Sequence, residues 1–102
     1  MSTAALQLDA DLAITGAAAT RTRLLAWLQS LPADGTVPTL DLSAVEVFDS
    51  AGVQLLLATR HSLAARGLGL NLTGLPAHVQ GSLQTLGLAT LLADDPAHAT
   101  AA

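Results

Sequence analysis

Hydrophobic and polar positions recur along this 102-residue chain with two different periods. Leu6 and Leu8 alternate with Ala5 and Gln7, the period of a strand with one buried face. Asp9-Ala10 reads as a tight turn, and Leu12 and Ile14 continue as a second strand, so the pattern predicts an N-terminal hairpin. From Ala17 to Leu31 the period changes: Leu24, Leu28 and Leu31 fall at helical spacing with Leu25 alongside, until Pro32 to Gly35 interrupts. Val37 to Leu42 predicts the next strand, with Pro38 near its start, where a missing N–H does least harm. Ala51 to Arg66 predicts a second helix stopped by Gly67. Leu68, Leu70 and Leu72 alternate with Gly69, Asn71 and Thr73 as a further strand. Pro76 opens a third helix through Leu86, ended by Gly87, and Leu88 to Leu92 predicts a short last strand. Residues 94–102 are expected to fray. Strands alternating with helices predict one α/β domain over residues 1–102, without linker or repeat.

Composition narrows the function. Hydrophobic residues make up 51% of the chain, yet Phe and Trp contribute one each, so the core has to be built mainly from Leu. The formal net charge is −4 and all four basic residues are Arg. A nucleic-acid binder needs a basic stripe or stacking aromatics, and neither is present. The absence of Cys removes disulfides, thiol nucleophiles and thiolate metal sites. No basic-then-apolar leader opens the chain. Residues 67–93 carry no Asp, Glu, Lys or Arg, but six residues, among them Gly74, Pro76 and Gly81, break the apolar run below the ~20 residues a membrane span needs. The expectation is a cytoplasmic protein without direct membrane insertion.

Most catalytic constellations fail on geometry. Ser50 and His61 lie eleven positions apart on one predicted helix, roughly 16 Å along its axis, too far for a serine and its base. No Lys exists for a Walker loop or a Schiff base. His61, His78 and His98 lack ligand-like spacing. No catalytic, cofactor or metal site is expected, and the protein reads as a non-enzyme.

The run from Leu40 through Phe48-Asp49-Ser50-Ala51-Gly52-Val53 carries the most information. A buried strand leads through a loop into an Asp-Ser pair at the start of an amphipathic helix. Asp or Ser can cap such a helix, a role worth about 1 kcal/mol. A hydroxyl at that position also stands beside unpaired N–H groups in a field that favours negative charge, where a phosphate can be added and read. Gly52 in the first turn costs roughly 1 kcal/mol of helix propensity, and its missing Cβ lets another backbone come close. On the helical wheel, Val53, Leu56, Leu57, Leu63 and Ala64 form the arc expected to be buried, with Arg60 awkwardly inside it. Ser50, Ala51, Gln54, Leu55, Ala58 and Ser62 lie roughly opposite, on an uncharged face that predicts a docking surface.

With these residues in view the chain resembles a STAS domain, over about residues 4–92. The residues that carry the resemblance are Leu40-Asp41-Leu42, then Phe48-Asp49-Ser50-Ala51-Gly52-Val53, Leu56-Leu57 and Arg66-Gly67, and later Leu70-Asn71-Leu72-Thr73-Gly74, Pro76 and Leu86-Gly87-Leu88. The resemblance implies a STAS-like mixed β-sheet of 4–5 strands with about three helices mainly on one face. Through the bacterial anti-sigma-factor antagonists of that family it implies a phosphoprotein of signal transduction and transcription regulation. Ser50 would then be the phosphorylation site, and Asp49, Ala51, Gly52, Gln54 and Leu55 the partner-binding residues. The implied partners are a serine-kinase anti-sigma factor or related switch kinase, and a phosphatase. The chain also resembles the small STAS subunit of Mla-type phospholipid transporters, which implies an ABC-transporter ATPase as a permanent partner, and the stand-alone STAS adaptors of signalling clusters.

Overall fold

The computed structural model describes residues 4–33 and 35–88. Its elements are β1 (Ala4–Gln7), β2 (Asp11–Leu12), α1 (Ala17–Ser30), β3 (Pro38–Asp41), β4 (Val47–Phe48), α2 (Ser50–Ala64), β5 (Asn71–Thr73) and α3 (Ala77–Thr85). The strands form two small sheets, one in the order β1-β3-β5 and one pairing β2 with β4. Each of these pairs is parallel. The result is a mixed α/β domain with three helices among the described residues.

The N-terminal hairpin is therefore corrected. Instead of pairing with β2, β1 lies parallel to β3, with Leu6 opposite Leu40. The β2 strand belongs to the other sheet, with Leu12 opposite Phe48. Its expected continuation through Ile14 is absent, because the Gly16 N–H bonds back to the Ala13 carbonyl and turns the chain into α1. Ile14 is left 71% exposed. Among the described residues every strand pair is parallel. The predicted strand over residues 88–92 and the tail at 94–102 fall, apart from Leu88, outside the described residues.

One core joins every layer. Leu24, Trp27 and Leu28 of α1, Val53, Leu56 and Leu63 of α2, and Val79 and Leu83 of α3 enclose Leu40 and Leu42 together with Leu8, Leu12, Val45 and Leu70. The spacings i, i+3 and i, i+4 place each helical set on one stripe. Both α2 and α3 close on a left-handed glycine, Gly67 (φ 74°) and Gly87 (φ 73°). The residue after each donates its N–H back into the helix, Leu68 to Leu63 at 2.9 Å and Leu88 to Leu83 at 2.7 Å. Using Leu68 to finish α2 is why β5 begins only at Asn71 rather than at 68.

The buried stripe of α2 is rotated from the predicted arc. Gly52, Val53, Leu56, Thr59 and Leu63 are buried, while Leu57 is half-buried and Ala64 exposed. The Thr59 hydroxyl donates to the Leu55 carbonyl at 2.7 Å, so this polar side chain satisfies itself within its own helix and can face inward. Arg60 is half-buried, its place inside the predicted arc leading to a shallow depression shared with Leu57, His61 and Ala64.

Candidate functional site

Strand β4 delivers the chain from Phe48 to Asp49, and α2 begins at Ser50. Asp49 has extended backbone geometry (φ −140°, ψ −168°) and is the N-cap. Its Oδ1 accepts from the Ala51 N–H at 2.8 Å, and its Oδ2 accepts from the Ile14 N–H at 3.1 Å. One carboxylate thus fixes both the start of α2 and the turn after β2. Of the Asp-Ser pair, the residue that caps the helix is Asp49. Ser50 is exposed, and among the described residues nothing bonds its hydroxyl. It stands at the positive end of a helix whose first turn contains no acidic residue.

Asp49→Ala is expected to lower stability by about 1–2 kcal/mol, since it removes a cap and leaves two backbone donors without their partner. Asp49→Asn keeps an acceptor oxygen and should recover at least half of the loss. Urea unfolding of the three proteins checks this.

Beside Ser50 lies an open cleft of about 530 Å³. Phe48, Asp49, Ser50 and Val53 line one side, and His78, Gly81, Ser82, Thr85 and Leu86 the other. The α3 residues from 78 to 85 recur at i, i+3, i+4 and i+7, which is one helical face, while Val79 and Leu83 on the other face enter the core. Gly81 costs α3 about 1 kcal/mol relative to Ala. A Cβ there would meet nothing within 4 Å, so no neighbour in the domain requires this glycine.

The predicted site residues separate. Asp49 and Ser50 line the cleft, and Gln54 is exposed one turn further along α2. Ala51 is half-buried. Gly52 is buried against β2, where a Cβ would overlap the Leu12 carbonyl oxygen, so the backbone that its missing Cβ admits belongs to this same chain. Leu55, read as outward-facing, packs against the core and lines a different groove with Arg21, Leu24 and Leu25 of α1. The α3 face of the cleft was missed. Its signal was the repeat of small and polar residues at helical spacing.

The arrangement is not that of a Ser-His-Asp relay. His61 lies near the far end of α2. His78 shares the cleft, but no hydrogen bond joins it to Ser50, and both oxygens of Asp49 accept backbone N–H groups. Among the described residues no group of three or more His, Cys, Asp or Glu could hold a metal ion, and no helix is long and apolar enough to cross a membrane. Elsewhere, the Asp41 carboxyl at the end of β3 is held below its ordinary value, chiefly by the Ser43 backbone N–H at 2.9 Å and then by the Ser43 hydroxyl. Arg23 on α1 is tied to Asp9 at 2.8 Å and to the Gln7 carbonyl at 3.0 Å, and it does not line the cleft.

Small parallel sheets, three helices and an exposed serine opening the second helix define a compact α/β domain of the STAS class. The family model described as "Mlab, STAS domain" matches residues 1–93, and the chain belongs to that family. The crystal structure of a sulfate transporter family protein from Wolinella succinogenes is similar to it in fold, with a TM-score of 0.67 and 24% identity over 86% of this chain and 69% of that one. No curated protein matches the chain.

Proposed function

We propose that this STAS domain is a phospho-regulated protein-protein interaction switch of the anti-sigma-factor antagonist kind, centred on Ser50. In this reading the unmodified face binds a serine-kinase anti-sigma factor or related switch kinase. The γ-phosphoryl group of ATP is then transferred to Oγ: the Oγ–P bond forms, the bond to the β-phosphate oxygen breaks, ADP leaves, and the hydroxyl proton passes to the kinase's base. The phosphate adds about −1.5 to −2 charges beside Asp49. A partner surface fitted to a neutral hydroxyl is then repelled, and a phosphatase restores the first state. The observation that carries the reading is the division of roles at the helix start. Asp49 caps α2, and the adjacent exposed hydroxyl has no structural task. Repulsion at a surface requires no rearrangement of the fold.

Incubation with ATP and a serine kinase encoded beside its gene tests the proposal. The expected result is one phosphate on the native protein and none on Ser50→Ala. An unchanged mass, or equal labelling of the two, overturns it. Ser50→Asp should fold normally, because a carboxylate suits the first turn, and should bind the kinase at least about tenfold more weakly, a loss of about 1.4 kcal/mol.

A second reading has its own support in the family description, which names Mlab. On that reading the domain is a constitutive subunit of a phospholipid ABC transporter, or an adaptor, and the same face rests permanently on an ATPase. Co-purification with the ATPase that survives Ser50→Asp distinguishes it.

A further inference from the structure

The α3 side of the cleft has no role in the switch as described so far. It presents an imidazole (His78), two hydroxyls (Ser82 and Thr85) and the open space over Gly81, all facing the cleft that also contains Ser50. No arginine lines this cleft. His78 is thus the one side chain on its walls, among the described residues, that can become a cation. The other ionisable group is Asp49, on the α2 side.

We infer that a phosphate on Ser50 is held inside the domain, with His78 as its counter-charge and the Ser82 hydroxyl as a donor. This rests on the proposal that Ser50 is the modified residue. Three features support it. The α2 N-terminus already favours negative charge at Ser50. The cleft has room for a phosphate group together with water. His78 lies in the first turn of α3 and is exposed, so its ring is accessible to the phosphate. An imidazolium pairs with a dianion, so each favours the charged form of the other. Asp49 opposes the second ionisation of the phosphate, and it does so equally whichever residue occupies position 78. The modified hydroxyl is thereby taken up by the protein's own cleft, and a partner reading Ser50 has to compete with α3 for it.

The test uses the full chain with phosphoserine installed at position 50 during translation, so no kinase is needed. Phosphorus NMR follows the second ionisation of the phosphate with pH. The expected midpoint is lower by about half a pH unit or more in the protein retaining His78 than in His78→Gln. His61→Gln serves as the control, since residue 61 lies roughly 16 Å along α2 from residue 50 and beyond the Debye length of physiological salt. As a second measurement, the ring nitrogen signals of His78 should respond to phosphorylation while those of His61 do not. Equal midpoints in the native and His78→Gln backgrounds, or an equal effect of His61→Gln, overturn the inference. Either result leaves the switch proposal standing. Failure of a kinase to label Ser50 sinks the switch and leaves this geometry untouched.

Discussion

Gly52→Ala is expected to destabilise the domain by about 3 kcal/mol, even though Ala is the better helix former. Propensity alone favours the substitution by about 1 kcal/mol. Sterics outweigh it. The added methyl would overlap the Leu12 carbonyl oxygen and come within 3.0 Å of both Leu12 Cγ and Phe48 Cδ1. A carbonyl in a paired strand cannot swing aside as a flexible side chain can, and Leu12 is held against Phe48 by the β2–β4 pairing. The strain should appear as a lower urea midpoint with an unchanged slope. A variant as stable as the native protein would show that β2 does not seat on α2 as described. The same position separates packing from recognition, because Gly52 is buried and its contacts lie within the chain.

Leu40→Ala should cost about 3–4 kcal/mol. Leu40 is fully buried in the central strand of the three-stranded sheet, with Leu6 opposite on one side and Leu72 on the other. Truncation leaves a cavity that strands on both sides have to collapse to fill, and their ladders resist collapse. For a domain whose total stability lies in the usual range of about 5–15 kcal/mol, this is a large fraction. Leu25→Ala, at a position 42% exposed on α1, is the matched comparison and should cost less than about 1 kcal/mol. Thermal unfolding of the two variants checks the contrast. Similar losses would mean that β3 is not the centre of the core.

The sequence was informative where local chemistry decides structure and uninformative where distant segments meet. The helices were visible because Leu24 and Leu28, and Val53 and Leu56, set a helical period, because Pro76 marks the start of the third, and because Gly67 and Gly87 end α2 and α3 through their own backbone. The hairpin failed because alternation reports which face of a strand is buried but not which strand is its neighbour. Leu6 alternates correctly and finds Leu40, not Leu12. Strand β4, at two residues, is too short to carry a period. The direction of Leu55 was misread because a single-arc wheel assumes one packing partner, while α2 rests on both the core and α1. The site was half visible. Asp49-Ser50 announces a helix start in one dimension, but deciding which residue caps required the Ile14 and Ala51 amides. The opposite wall of the cleft lies some thirty positions away in sequence, and no local rule connects His78 to Ser50.

The double engagement of Asp49 also bears on how such domains can diversify. With the scaffold secured at one position, the neighbouring position is open to exchange, and hydroxyl, carboxylate or methyl can each occupy it without a new architecture. A reversible signalling component and a fixed part of a larger machine can then differ by a single side chain on an otherwise unaltered body.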